Sequence, residues 1–323
     1  MKHVSILVPQ GDLILSTVVG TYKIFNAANI YLENNGKKAK FKLHLVGIEK
    51  ETTLYDGLFS IHPNALLNEI QKTDLIIIPA IQPNSLSLNL EFIPWINEQY
   101  KQGAEVASLC VGSFLLACTG LLKDNECSTH WIAADAFKKQ FPHIKLVTDK
   151  IVTDKNGIYT SGGAYSFLNL ILYLVEKNCG RDVSLYLSKL FEIDINRNSQ
   201  APFILFNGQK DHEDETIKKA QIYMESNLGE KISVEHLANL FAVSKRNFER
   251  RFKKATTNTP VEYLQRIKIE SAKKSLEKGR ENINEIMYSL GYSDSKSFRT
   301  TFKKITGLSP LEYKKKYNRE LLN

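Results

Sequence analysis

The chain has 323 residues, of which 43% are apolar, and carries 43 Lys and Arg against 35 Asp and Glu. That length points to two domains, each able to bury a core, and excludes a disordered tail or a disulfide-stapled miniprotein. The net charge of +8 is not spread evenly: residues 213–323 hold 23 basic and 15 acidic side chains while the first 212 residues balance, so a polyanionic partner belongs to the last third.

In chain order, Met1–Lys2–His3 leads straight into Val4–Val8, too short an apolar run for a secretory signal. No stretch approaches the roughly 18 apolar residues of a membrane helix. Cys110, Cys118, Cys127 and Cys179 lack metal-ligand spacing. The expectation is a cytoplasmic chain with reduced thiols, no metal and no cofactor. Strands are predicted at Val4–Val8, Leu43–Val46, Leu75–Pro79, Val106–Leu109, Ile151–Thr153 and Ile158–Thr160. Helices are predicted at Thr17–Asn29, Ile93–Gln102, Val111–Leu122, His130–Gln140 and Ala164–Asn178. Alternation of helices with continuously apolar strands predicts a doubly wound, mostly parallel α/β sheet over residues 1–193, with ligands bound beyond the carboxyl ends of its strands.

One strand end carries chemistry. Ala107–Ser108–Leu109–Cys110–Val111–Gly112–Ser113 reads as strand, nucleophile slot, then helix. A thiol at a helix start is expected to have a lowered pKa. His130 follows at a loop-to-helix junction and could serve as its base. Equally, Cys110 could be a small buried residue and His130 a helix cap paired with backbone. Gly11, Cys110, Val111, His130 and Trp131 are the candidate ligand pocket.

Residues 194–214 are polar and punctuated and read as an inter-domain linker. Within it, Asp211–His212–Glu213–Asp214 is more simply the acidic opening of a helix than a metal cluster.

The last part, residues 215–323, repeats itself. Phe248–Glu249–Arg250–Arg251–Phe252–Lys253–Lys254 recurs fifty residues later as Phe298–Arg299–Thr300–Thr301–Phe302–Lys303–Lys304. Thr256, Pro260, Glu262 and Tyr263 recur as Thr306, Pro310, Glu312 and Tyr313. Each copy follows a short apolar helix and a tight turn, with one residue gained in the second turn. The layout predicts an all-α domain with two helix-turn-helix units, whose second helices enter successive major grooves of double-stranded DNA. On a helical wheel Phe248, Phe252 and Ala255 oppose Arg246, Arg250 and Lys253, while Phe298, Phe302 and Ile305 oppose Lys296, Thr300 and Lys303. Base readout is expected from Arg246 and Arg250, and from Lys296 and Thr300, flanked by Asn247, Glu249, Ser297 and Arg299. Lys253, Lys254, Lys303 and Lys304 lie further along and are expected on phosphates. Between the copies, Pro260 to about Lys278 reads as one long helix ended by Gly279.

These features resemble the DNA-binding domain of AraC-type transcriptional regulators over roughly residues 215–318. The family's second-unit signature stands here as Gly291–Tyr292–Ser293–Asp294, Ser297–Phe298, Phe302–Lys303–Lys304, Gly307 and Ser309–Pro310. Cys110, Gly112, Leu115–Leu116–Ala117, Gly120–Leu121–Leu122, Thr129–His130–Trp131, Thr160–Ser161–Gly162–Gly163 and Pro9–Gln10–Gly11 together resemble the PfpI-like branch of the class I glutamine amidotransferase-like superfamily, a flavodoxin-like fold. Asn196–Phe203 resembles the connecting segment of regulators that join the two. The resemblance implies a transcription regulator, expected to be an activator and a homodimer, whose first domain senses a small metabolite, in the family's manner a nitrogen-containing one, without catalysing a reaction. Against catalysis, the family's first-helix carboxylate falls on Thr17, and Val111 stands where catalytic relatives often carry histidine. The alternatives are a Cys-dependent hydrolase or amidase fused to a DNA-binding module, and an architectural DNA binder whose first domain only dimerises.

Overall fold

Strand-helix alternation in the first 200 residues winds into a single large sheet. The structure, a computed structural model, describes residues 1–279 and 281–318. The chain divides into two compact units, Met1–Gln200 and Ala201–Asn323.

In the first unit the order is β1 (Lys2–Val8), α1 (Leu15–Asn34), β2 (Phe41–Gly47), β3 (Thr52–Leu54), β4 (Phe59–Ile61), β5 (Ala65–Leu66), β6 (Leu75–Ile78), α2 (Phe92–Lys101), β7 (Glu105–Ser108) and α3 (Ser113–Cys118). It continues with β8 (Glu126–Cys127), α4 (Ala134–Gln140), β9 (Lys145–Leu146), β10 (Val152–Lys155), β11 (Ile158–Ser161), α5 (Ser166–Cys179) and α6 (Arg181–Leu190). The seven-stranded sheet runs β10-β11-β7-β6-β1-β2-β5. All of its neighbours pair in parallel except β10 with β11.

Both faces of this sheet are covered, which is why the central strand β6, Leu75–Ile78, is apolar throughout rather than alternating. Along β1, Val4, Ile6 and Val8 enter one core and Leu7 the other. Along β6, Leu75 and Ile77 face one way, Ile76 and Ile78 the other. The first core is closed by α1, α5 and α6 through Phe25, Leu170, Leu174 and Leu187. The second is closed by α2, α3 and α4 through Ile96, Phe114 and Phe137. Strand order reverses between β1 and β6, so the ends of these two strands form the switch point at which such sheets bind ligands.

Several boundaries differ from the sequence reading for local reasons. The helix expected at Val111–Leu122 is α3 alone. Its start is taken by a 3-10 turn, Cys110–Gly112, and Gly120 at φ +78° ends the segment. His130–Gln140 likewise begins as a 3-10 turn, Trp131–Ala133, before α4. The hairpin of β3 and β4 and the amphipathic helix α6 were not anticipated.

The second unit opens with a 3-10 turn, Ala201–Phe203, then α7 (Glu215–Ser226), α8 (Val234–Leu240), α9 (Lys245–Thr256), α10 (Pro260–Lys278), α11 (Ile283–Ser289), α12 (Ser295–Thr306) and α13 (Pro310–Tyr317). It holds two small cores. Ile217, Met224, Leu237, Phe248, Phe252 and Tyr263 fill the first, and Leu276, Ile286, Met287, Phe298, Phe302 and Tyr313 the second. Helix α10 belongs to both: Tyr263 and Ile267 face the first core, Ile269, Ala272 and Leu276 the second. Its ends are built as the sequence predicts. Thr259 and Glu262 form a capping box with Pro260 at the first turn, and Gly279 at φ +76° closes the other end. Val261, counted as apolar spacing on this helix, faces outward at 52% exposure, and the fully buried Tyr263 fills the core instead.

The segment 194–214 divides at Gln200, residues up to it belonging to the first unit and residues from Ala201 to the second. The Asp194 carbonyl accepts from Asn169 Nδ2 at 2.8 Å, Ser199 bridges to Lys150, and the Gln200 side chain is 1% exposed. From Ala201 onward the chain packs with the second unit, where Phe206 borders the first small core. Polar composition concealed this because the anchors are hydrogen bonds rather than apolar contacts. Among the described residues no helix is long and apolar enough to cross a membrane.

Candidate functional site

In the second unit each recognition helix docks by two phenylalanines. Phe248 and Phe252 are buried on α9, Phe298 and Phe302 on α12, and each pair packs ring against ring at centroid distances of 5.7 and 5.9 Å. Burial of these faces fixes what the opposite faces present. Arg246, Glu249, Arg250, Lys253 and Lys254 are exposed on α9, and Lys296, Ser297, Arg299, Thr300, Lys303 and Lys304 on α12. Asn247 is half-buried, and its Oδ1 accepts from Arg250 Nη2 at 2.8 Å, which aims the guanidinium across the helix surface. The helix-turn-helix turns differ in length as expected: four residues separate α8 from α9 and five separate α11 from α12.

A contact missed in the sequence reading steadies the first recognition helix. Arg251 donates to both carboxylate oxygens of Asp214, at 2.8 and 2.6 Å. Asp214 caps α7 through the Ile217 N–H, and the Arg251 guanidinium holds its carboxyl below the usual carboxylate range. The acidic residues before α7 therefore include a cap and ion-pair partner. His212 meanwhile pairs with Gln221 Oε1 at 3.0 Å.

In the first unit Cys110 sits at the end of β7 with φ +55°, a left-handed conformation unfavourable for a residue bearing a Cβ. Its neighbours pin it there. The Cys110 N–H donates to Ser161 Oγ at 3.1 Å, the Cys110 carbonyl accepts from Thr129 Oγ1 at 3.2 Å, and Ser113 Oγ donates to Thr129 Oγ1 at 2.8 Å. Gly112 is required for the same reason: a Cβ there would lie 2.4 Å from the Pro79 carbonyl oxygen, which is backbone and cannot give way. The strand-to-helix elbow read from the sequence is thus present.

The expected lowering of the thiol pKa is not. Cys110 is 6% exposed and burial pushes its thiol up, outweighing the backbone N–H groups of Ala164 and Val111 that favour the thiolate. The helix that follows supplies little dipole, because α3 starts three residues later and is six residues long. His130 takes the cap role: its Nδ1 accepts from the Ile132 N–H at 3.1 Å, and its ring lies so close to Gly163 that a Cβ there would meet it at 2.4 Å. Burial lowers its pKa, favouring the neutral ring. Thr17, at the family's carboxylate position, is buried, and its Oγ1 donates to the Ile14 carbonyl and accepts from the Ala80 N–H.

Of the five expected pocket residues, Gly11 lines an open cleft of about 1160 Å³ at the switch point. The cleft is formed by Gly11–Ile14, Thr53–Gly57 and Gln82–Asn84, with Asp12 and Asp56 as its charged members. Cys110 and Val111 are nearly enclosed, and the half-buried His130 and Trp131 pack with tilted rings at a centroid distance of 5.6 Å beside the 162–164 loop. The sequence carried no sign of the Thr53–Gly57 wall, because the two short strands flanking it lack a distinctive pattern.

Two family models match the chain: one described as DJ-1/PfpI family over residues 16–177, and one described as a helix-turn-helix domain over residues 237–316. The chain is 26% identical over 275 residues to the HTH-type transcriptional regulator GbdR of Pseudomonas aeruginosa, covering 84% of this chain and 74% of that one. It is 24% identical over 213 residues to the HTH-type transcriptional regulator ArgR of the same organism, covering 66% and 64%. Among solved structures, an AraC family transcriptional regulator from Pseudomonas putida superimposes with a TM-score of 0.52 at 14% identity, over 59% of this chain and all of that one, a likeness of fold.

Proposed function

We propose that this chain, which belongs to the DJ-1/PfpI family and is an AraC-type DNA-binding transcription regulator, activates transcription in the cytoplasm in response to a small molecule held by its first unit. The observation that carries the reading is the in-register repeat, in which the repeated phenylalanines and tyrosines are buried and the outward residues of α9 and α12 are polar and mostly cationic. Arg246, Asn247, Glu249 and Arg250 read one stretch of major groove; Lys296, Ser297, Arg299 and Thr300 read the next. Lys253, Lys254, Lys303 and Lys304 bind phosphates and position the helices.

For the first unit we favour sensing over catalysis. A Cys nucleophile needs a base in reach and a third group to orient it. Here the thiol is enclosed and favours its protonated form, His130 Nδ1 is engaged by backbone, and Thr17 stands where the carboxylate would be. The effector is assigned to the region from the switch-point cleft to Cys110, Val111, His130 and Trp131. Asp12 and Asp56 favour a ligand bearing a cationic nitrogen. Dimerisation is assigned to this unit too, where Val19, Tyr22 and Ile30 leave an apolar stripe exposed along the outer side of α1. A strictly monomeric mass on and off DNA would remove that part.

The test is genome-wide DNA binding by the native protein, with transcript levels in cells that have or lack it. A few sharp sites beside genes whose transcripts fall without the protein support an activator. Diffuse binding with unchanged transcripts overturns the reading. An amide-hydrolysis screen comparing the native chain with Cys110→Ser addresses the hydrolase alternative: turnover lost in the variant would establish catalysis.

A further inference from the structure

Within the second unit, helix α10 joins the two helix-turn-helix copies, the first built on α8 and α9 and the second on α11 and α12. It is 19 residues long. At 1.5 Å per residue that is about 28 Å, and helices of such length curve readily. The loop between α7 and α8 gives the joint a second point of contact. Leu228 packs against both small cores. Gly229 lies against the second copy's turn: its carbonyl oxygen would be 2.4 Å from a Cβ on Gly291, and a Cβ on Gly229 itself would be 3.1 Å from the Ser289 carbonyl oxygen. Loop and turn therefore meet backbone to backbone, with little room for a side chain between them.

Lys268 ties the same loop down from the middle of α10. It is 7% exposed, its Nζ donates to the Glu230 carbonyl at 3.2 Å, and the ammonium stands over the Tyr292 ring, 5.6 Å from its centroid. Tyr292 in turn packs edge-on to Phe298 of α12 at 5.3 Å. Direct contacts thus run from the α7–α8 loop through Lys268 and Tyr292 to the second recognition helix. An ammonium is an unfavourable choice for so enclosed a place. Among the described residues no carboxylate pairs with it, and burial pulls its pKa below the usual lysine range. A methionine would fill much the same volume without that penalty. What the ammonium adds is a directed hydrogen bond to the loop, so its contribution is geometry rather than stability.

We propose that Lys268 is a positioning residue for DNA readout: with the 228–230 loop it braces the second copy's turn against the first copy, and so fixes the spacing in base pairs between the two sequences that the recognition helices read. One base pair more or less carries a half-site about 34° around the DNA axis and about 3.4 Å along it. A braced pair of heads cannot follow that change, whereas a pair joined by α10 alone can follow it by bending. The proposal rests on base readout by both helices and goes beyond it, because readout requires only that each helix reach a groove.

The test uses the full chain and three duplexes. They carry the two half-motifs, selected from random DNA by the native chain, at the selected separation and at one base pair more and one fewer. The native chain is expected to bind the two altered duplexes at least about tenfold more weakly, the scale of a mismatched base pair. Lys268→Met is expected to shrink that penalty to about threefold or less, while the bases preferred within each half stay the same. Gly229→Ala presses the loop away from the Ser289 carbonyl and is expected to shrink the penalty as well. A merely structural role for Lys268 weakens binding to all three duplexes alike and leaves the penalty intact, and that result overturns the brace. A native chain indifferent to spacing overturns it too. If Lys268→Met unfolds the helical unit, seen as fast hydrogen exchange throughout α9 and α12, Gly229→Ala decides alone. A one-part motif from the native chain removes two-headed readout and the brace with it. A two-part motif whose spacing penalty survives in the variants removes the brace alone.

Discussion

The two helix-turn-helix units are one design carried out twice, and their differences separate scaffold from reading surface. Apart from the exposed Lys253–Lys254 and Lys303–Lys304 pairs, what repeats is buried or caps a helix. Thr256 Oγ1 donates to the Phe252 carbonyl and Thr306 Oγ1 to the Phe302 carbonyl, at 2.8 and 2.9 Å. Thr259–Glu262 and Ser309–Glu312 form matching capping boxes. Tyr263 donates to Glu225 and Tyr313 to Glu277, at 2.7 and 2.6 Å. What differs is mainly outward: Arg246, Asn247, Glu249 and Arg250 in one copy become Lys296, Ser297, Arg299 and Thr300 in the other. A chain that keeps its internal contacts while changing its exposed residues would, on the proposed base readout, present two different reading heads on one frame.

The sharpest way to break the comparison is at the turns. Gly291, at φ +71°, would place a Cβ 2.4 Å from the Gly229 carbonyl oxygen. Gly291→Ala should therefore cost roughly 2–4 kcal/mol, from the left-handed backbone plus a clash with main chain. Denaturant unfolding of the full chain measures it, and a loss below about 0.5 kcal/mol would mean that the turn can relax.

Next come the reading heads. Arg250→Ala is expected to cost about 1–3 kcal/mol on the cognate site and to relax specificity there. Lys304→Ala should weaken binding to all sequences alike and flatten the salt slope by about one unit. Equal losses on random DNA in both variants would show that bases and phosphates were wrongly sorted between them.

The Arg251–Asp214 pair exists only in the first copy, where Thr301 replaces Arg251 in the second. Because the Asp214 pKa is lowered by folding, its contribution is fully present above the unfolded carboxylate pKa of about 3.9 and is lost as pH falls through the lower folded value. Arg251→Met should cost about 1 kcal/mol at neutral pH, and the difference from the native chain should shrink below about pH 4. A difference that stays constant with pH would assign the loss to packing.

The smallest effect is expected at Ala242, the first copy's counterpart of Gly291, held at φ +52°. Ala242→Gly should stabilise by about 0.5 kcal/mol, relief of the left-handed strain being partly offset by the freer unfolded chain. A destabilised variant would mean that the Ala242 methyl packs usefully.

Much of this was legible before any coordinates. Repeats such as Phe248 with Phe298 show in the sequence because burial and capping constrain residue type. The strands of the sheet show because burial on both faces demands apolar runs. The Cys110 elbow shows because glycine follows the nucleophile slot two residues on, where only Gly112 fits under the Pro79 carbonyl. The thiol's raised pKa did not show, since it depends on enclosure rather than on neighbours in sequence. The anchoring of Gln200, the Arg251 partner of Asp214 and the contacts of Glu270 and Lys273 with residues 204–206 were missed for a related reason. A polar residue with a structural role looks like a surface one until these partners, 37 or more residues away, are brought to it. Helix α6 was not legible because Gly180 alone, at φ +93°, separates it from α5, leaving no loop in the sequence to mark a second helix.

The central claim is that two unlike reading heads act side by side. It is tested most directly by selecting binding sites from random DNA with the native chain, with Arg250→Ala and with Thr300→Ala. The account predicts a two-part motif in which Arg250→Ala loses sequence information from one part only and Thr300→Ala from the other. A one-part motif, or loss at the same positions in both variants, would contradict it.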